Sequence, residues 1–200
     1  MCFNTKSSAI AWAISIIISI FLYVRNKNYD RWNSAFIMCF STIQLLEAGI
    51  WSTNNMNELL TELILLALVF QPLVQSYAGY IYTKNMILAL MSFVFLGIIF
   101  WSSIRILKAK SMQFGSKIGE KGHLVWYDTE EKENFLGGTP IVIWYMAGLL
   151  LPLLFMKNSL PLIITGITTL LYSSVFAGKG EIGSYWCFTA VIYSIVSIFV

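Results

Sequence analysis

Charge is what this sequence has least of. Only 12% of its 200 residues are Asp, Glu, Lys or Arg, while 58% are hydrophobic; a soluble domain is about a quarter charged and about half apolar. Water is therefore not the main solvent this chain is written for. Histidine occurs once, at His123, and a single imidazole cannot build the multi-histidine zinc centre of a seven-helix membrane hydrolase. The three cysteines, Cys2, Cys39 and Cys187, have no paired spacing, which excludes a disulfide framework or a zinc ribbon. Net charge is only +3, and the basic residues lie between apolar runs instead of forming a stripe with interleaved aromatics, so nucleic acid is not a partner. No lysine lies in the last apolar run, where retinal would need one for a Schiff base, and no Thr-Val-Gly-Tyr-Gly filter marks a potassium channel.

What the sequence does hold is hydrophobic length. Apolar runs cover 8–24, 33–51, 59–82, 86–104, 140–156, 160–177 and 182–200, each near the roughly twenty residues needed to cross about 30 Å of hydrocarbon as a helix. Membrane barrel strands would alternate in polarity over about ten residues, and these runs are continuous. The first run ends in Tyr23-Val24-Arg25 without a small-residue cleavage site, and so reads as a retained helix and not a removable signal. Pro140 and Pro161 stand where a first helical turn accepts proline. The expected fold class is all-α: a polytopic membrane bundle of about seven transmembrane helices, one transmembrane domain over 1–200, with the lipid bilayer as its partner. The segment 105–139 is the one long extramembrane loop, glycine-containing and mixed in charge, either a lid or a linker.

Arg25, Lys27, Arg31, Lys84 and Lys157 fall in the first, third and fifth connections. The positive-inside rule then places the amino terminus outside and the carboxyl terminus in the cytoplasm, although Arg105, Lys108 and Lys110 follow the fourth run on the other side.

Polar residues inside the runs are where chemistry can sit, because an ionisable group in hydrocarbon is costly and turns toward the bundle interior. Gln44, Glu47 and Trp51 are spaced i, i+3 and i+7 and share one helix face. Gln71 and Gln75 bracket Pro72 in the third run, where proline frees a carbonyl that seeks another partner. Glu58 and Glu62 open that run on the side where the second run ends, so that two carboxylates at one depth can share a proton or a cation. With seven spans, Cys2, Glu47, Trp51, His123 and Cys187 belong to one membrane face. If the long loop folds back, His123 meets Glu47 or Cys2. A thiol, a carboxylate and an imidazole form a ligand set for a divalent metal, or a nucleophile with its base. The cofactor is otherwise unassigned. A histidine alone in a loop has the plainer reading of an interfacial residue, and glutamines in a bundle that of interhelical glue worth about 1 kcal/mol.

The opening Met1-Cys2-Phe3-Asn4, Ser7-Ser8 at the first helix and Ile43-Gln44-Leu45-Leu46-Glu47-Ala48-Gly49-Ile50-Trp51 resemble a family of small multipass membrane proteins of bacteria and large DNA viruses. Its members begin Met-Cys-Phe-Ser and carry Gln-x-x-Glu-Gly-x-x-Trp in helix two. Asn4 and Ala48 depart from that pattern, and the likeness covers about the first fifty residues. It implies a multipass helical fold and a loop histidine followed by an aromatic, here His123 and Trp126. It implies no reaction, because the family has no assigned activity.

Three functions are compatible with these residues. One is a polar intramembrane pocket centred on Glu47, with Gln44, Trp51, Glu62, Gln71 and Gln75, that binds or transports a small ligand or ion. Another is a membrane enzyme, metal-dependent or not, acting on an apolar or lipid substrate through Cys2, Glu47 and His123. The third is a structural or assembly protein whose polar groups only hold helices together.

Overall fold

The computed structural model describes residues 4–53, 57–108, 114–128 and 139–200. They are mostly helical, in the order α1 (Thr5–Arg25), α2 (Asp30–Ser52), α3 (Glu58–Thr83), α4 (Met86–Lys108), a hairpin of β1 (Phe114–Ile118) and β2 (Leu124–Asp128), α5 (Thr139–Leu150) with a 3-10 extension (Leu151–Phe155), α6 (Leu160–Phe176), α7 (Ile182–Thr189) and α8 (Val191–Ser197). Among the described residues α1, α2 and α3 are long and apolar enough to cross a membrane, and the other apolar helical stretches are shorter.

The helix ends follow the local chemistry. Asn4 and Asn57 cap α1 and α3, their side chains accepting the N–H of Ser7 and Leu60 at 3.0 Å each, which satisfies amides the helix leaves open. Asn26 and Lys84 end the same helices in the left-handed region, at φ 51° and 55°. Pro152 opens the 3-10 extension, because it has no N–H to continue the α ladder of α5. The last apolar run is not one helix: it breaks at Ala190 between the β-branched residues Thr189 and Val191.

Successive helices α1 to α4 pack side by side; α5 lies on α3, α6 on α7 and α8, and α8 returns to α1. Serines line the contacts of α1: Ser19 Oγ lies 3.0 Å from Ser34 Oγ on α2, and Ser194 Oγ of α8 donates to Ser15 Oγ at 3.4 Å. Small hydroxyl residues let backbones approach closely and satisfy each other. The distribution of polarity is inverted relative to a water-soluble domain. Phe93 (72% exposed), Phe100, Leu90, Leu154 and Val175 face outward, while Gln44, Glu47, Gln71 and Gln75 are buried. Exposed apolar surface on this scale suits a hydrocarbon surrounding.

The hairpin is the feature that the expected loop over 105–139 did not foresee. Ile118 pairs with Leu124 in antiparallel register. Gly119 N–H donates to His123 O at 2.8 Å, and Gly122 takes a φ of 85° that only glycine adopts cheaply. This is a three-residue hairpin loop closed by a glycine in the left-handed conformation. β1 lies against α3 and β2 against α7, so the hairpin sits on the bundle end where α3 and α7 begin.

Candidate functional site

The buried polar groups gather on facing sides of α2, α3, α5 and α7. On α2, the spacing of three residues brings Gln44 and Glu47 together: Gln44 Nε2 donates to Glu47 Oε2 at 3.0 Å. Glu47 is 2% exposed. From α7, Ser184 turns its hydroxyl toward this carboxylate, and Cys187, one turn later on the same face, lies close enough to feel its charge. Glu47 Oε1 and Gln44 Oε1 have no hydrogen-bond partner among the described residues, and neither has Trp51 Nε1, one turn beyond Glu47.

On α3, Gln71 and Gln75 behave differently from each other. Gln75 is fully committed: its Oε1 accepts Trp32 Nε1–H at 3.1 Å and its Nε2 donates to the Leu149 carbonyl at 3.3 Å, tying α3 to α2 and α5. That is the helix-joining role weighed against a site in the sequence. Gln71 Oε1 accepts the Tyr145 hydroxyl of α5, and its Nε2 has no partner among the described residues. Tyr145 in turn stands beside Trp186, ring centroids 6.2 Å apart, and near Cys187. Glu58 is exposed and Glu62 half-buried; among the described residues neither makes a hydrogen bond to Glu47.

His123 is buried at the hairpin's tip. Its ring meets Tyr185 edge to face at 4.6 Å, and the negative charge of Glu181 is nearby. Glu181 is the residue sequence reading passed over as part of a turn. It is 0% exposed and accepts the backbone N–H of Lys121 at 2.8 Å and of Gly178 at 3.1 Å. A Cβ on Gly119 would come within 2.0 Å of its Oε1, so the hairpin reaches this carboxylate only because residue 119 has no side chain. Lys121 Nζ adds a hydrogen bond to the Phe176 carbonyl at the end of α6, where a cation meets the negative end of the helix dipole.

Glu181, Ser184, Tyr185 and Cys187 thus lie on one short helix and its cap, and through it His123 and Glu47 have neighbouring supports. Cys2, the third member of the candidate metal and nucleophile set, lies outside the described residues. Among the described residues no three His, Cys, Asp or Glu side chains gather as a metal would require. Cys187 shares the membrane face of Glu47 as the span count expects, whereas Ser184 and Tyr145 were missed because an isolated hydroxyl in an apolar run gives no signal until the facing helix is known.

No protein-family model, curated protein or solved structure matches this chain.

Proposed function

We propose that this protein is a seven-span membrane protein whose core binds a cation at Glu47. One observation carries the reading: a carboxylate oxygen, Glu47 Oε1, is buried without a hydrogen-bond partner among the described residues, beside a second unpartnered acceptor, Gln44 Oε1. Two such acceptors, with the Ser184 hydroxyl turned toward the carboxylate, match a positively charged guest, because a buried carboxylate is stable only when paired or protonated. Trp51, one turn beyond Glu47 on α2, adds a buried Nε1 with no partner among the described residues, whereas Gln75 is committed to Trp32 and the Leu149 carbonyl.

The span number rests on hydropathy: the shorter stretches Met86–Trp101, Ile143–Phe155, Leu160–Phe176 and Ile182–Ser197 are apolar, and their outward faces carry Phe93, Trp144, Leu171 and Ile192. The amino terminus is extracytoplasmic on the lysine and arginine count. The family resemblance points to the same residues, since Gln44, Glu47 and Trp51 carry its helix-two motif.

The test is thermal unfolding of the purified protein in detergent with sodium, potassium, calcium, zinc and methylammonium salts, for wild type and Glu47→Gln. A ligand at a hundred times its Kd stabilises by about 2.7 kcal/mol. At least one cation should raise Tm in wild type and leave Glu47→Gln unmoved. Equal responses in the two proteins would remove the cation site and leave Glu47 as a packing residue.

A second reading is favoured by one arrangement, the placement of His123 on Tyr185 beside Ser184. It makes Cys2, Glu47 and His123 the working groups of a membrane enzyme. Elemental analysis of wild type, Cys2→Ser, Glu47→Gln and His123→Ala separates it: a stoichiometric metal lost in all three variants supports this reading, and a metal unaffected by them sinks it.

A further inference from the structure

The turns 26–29, 84–85 and 156–159 lie at one end of the bundle. Helices α1 to α4 run back and forth beside one another, which brings the first two turns together. Tyr145 and Leu149 of α5 meet Gln71 and Gln75 of α3 in the same order, so α5 runs with α3 and its 3-10 extension ends where α3 ends. These turns carry Lys27, Lys84 and Lys157, all exposed, and Arg25 and Arg31 flank the first of them. Asp30 is the one acidic side chain here, and Arg25 holds both of its oxygens. Rings gather at the same level: Arg25 lies over Phe21, Arg31 over Tyr23 and Lys84 over Tyr80, at 5.2, 5.0 and 5.8 Å from the centroids. Cations and aromatic rings at one level suit the depth of a headgroup layer.

The two arginines differ in what they hold. Arg25 spends Nε and Nη2 on Asp30 and Nη1 on the Ile198 carbonyl. Arg31 makes no hydrogen bond or ion pair among the described residues. Its Nε is buried without a partner, while neither Nη is among its buried atoms, so the half-buried side chain keeps that edge at the surface beside Tyr23. A guanidinium is a fork of donors that pairs with two oxygens at once, and with Asp30 taken no side chain of these turns supplies them. From Arg31 toward the middle of the bundle, α1 presents Tyr23 (57% exposed), Ile20 and Ile17 on one face. An unfilled anion fork beside an exposed apolar strip matches a phosphate with acyl chains beneath it; a soluble acidic partner would fill the fork and leave the strip unused.

We infer that Arg31 receives the phosphate of an acidic phospholipid at the outer edge of α1 and α2, and that Lys27, Lys84 and Lys157 draw that lipid class to this end of the bundle. The inference rests on the membrane placement of the chain and not on the cation reading of Glu47. The positive-inside rule concerns the side on which cations are left during insertion; a headgroup site needs an unfilled set of donors, which Arg31 supplies. The lysines act through their field. Each cation near an anionic surface strengthens attraction about fivefold, the factor that about 1 kcal/mol gives, and salt screens this part. The half-buried Arg31 fork, in direct contact with its phosphate, is screened much less.

The experiment places the full chain in phosphatidylcholine vesicles with a trace of spin-labelled phosphatidylglycerol or spin-labelled phosphatidylcholine, and reads the immobilised fraction of each label by electron paramagnetic resonance. Phosphatidylglycerol should be favoured about fivefold or more at low salt, and a smaller preference should survive at about 1 M salt, where the Debye length is about 3 Å. Arg31→Gln should abolish the surviving part, and so should Arg31→Lys, because an ammonium keeps the charge without the fork. Lys27→Gln combined with Lys84→Gln and Lys157→Gln should remove the salt-dependent part and leave the surviving one. Lys179→Gln, at the opposite end of the bundle, should change neither. A preference that vanishes at high salt, or that Arg31→Gln leaves intact there, would overturn the Arg31 site. Displacement of the label at high salt by glycerol phosphate or by a soluble glutamate-rich peptide would overturn the lipid assignment. Equal immobilisation of the two labels at low salt would overturn the proposal and leave the membrane placement standing, whereas no immobilised label of either kind would remove the membrane placement and the proposal with it.

Discussion

The carboxylate of Glu181 accepts the backbone N–H of Lys121 at 2.8 Å across sixty residues of sequence, and this bond holds the β-hairpin on the bundle. Hydrogen bonds to a charged acceptor contribute about 1.5–3 kcal/mol each, and Glu181 makes a second one with Gly178. Gly119→Ala places a methyl where Glu181 Oε1 now lies. We expect it to detach the hairpin as fully as Glu181→Ala, whereas Lys121→Ala keeps the backbone donor and has a small effect. Amide hydrogen exchange of 114–128 is the measurement: protection should fall in the first two variants, and retained protection in Gly119→Ala would refute the role of Glu181.

His123 gives that attachment a pH dependence. Its pKa is lowered below the ordinary histidine value, chiefly because burial disfavours the charged imidazolium; the negative charge of Glu181 works the other way, and the positive charge of Lys121 adds to the lowering. A group with a lowered pKa in the folded state binds fewer protons there than when unfolded, so stability rises with pH through that interval. Hairpin protection should therefore be complete above the unfolded histidine pKa of about 6.5 and decline as pH falls below it. His123→Asn should flatten the decline. An unchanged pH profile in that variant would assign the dependence elsewhere.

The sequence makes the helical, apolar character of the chain legible because continuous apolarity is a property of composition alone, although among the described residues only α1, α2 and α3 have the length and apolarity to cross a membrane, and Gln44 with Glu47 is legible because i and i+3 share a face whatever the tertiary fold. The other half of the pocket is not. Ser184 and Tyr145 become neighbours of Glu47 and Gln71 only through the rotation of α7 and α5 about their axes, which no local pattern fixes, and the span count that puts Cys187 at the depth of Glu47 does not say that it faces it. The hairpin was hidden for a different reason. Phe114–Ile118 and Leu124–Asp128 are five residues each, too short for a firm alternation, and Gly119-Glu120-Lys121-Gly122 was the readable signal of the turn. Gln75 looked like a site residue and is a tie between helices, because sequence shows that a buried amide needs partners and not whether the protein supplies them.

That tie has its own test. Gln75→Leu removes the acceptor of Trp32 Nε1–H, a ring that is 0% exposed, and the donor to the Leu149 carbonyl. Stranding a buried polar group costs about 1–3 kcal/mol, here twice over, with measured interhelical bonds in membranes toward the lower end. Unfolding in detergent should shift by that amount, and Trp32→Phe in the same background should recover part of it by removing the stranded N–H. Additive losses in the double variant would mean that the two side chains do not act together.

At the opposite end of the bundle, Arg25 and Asp30 join three chain segments in one clasp. Arg25 donates from Nε and Nη2 to the two carboxylate oxygens of Asp30 at 2.8 and 2.7 Å, and from Nη1 to the Ile198 carbonyl at 2.6 Å; Lys27 N–H adds a further bond to Asp30 at 2.7 Å. A planar guanidinium fits this fork and a lysine ammonium does not. Arg25→Lys should therefore destabilise nearly as much as Arg25→Ala despite keeping the charge. Asp30 is 3% exposed, so its removal leaves Arg25 Nε and Nη2 and the Lys27 amide without their acceptor, and Asp30→Ala should cost about 3 kcal/mol, the lower end for breaking a buried pair, because Arg25 keeps its bond to Ile198 and some contact with solvent. The same bond to Ile198 makes the end of α8 part of the clasp, so Arg25→Ala should raise amide exchange at 191–198 as well as in α1. Exchange confined to α1 and α2 in that variant would show that α8 is held by its serine contacts with α1 instead.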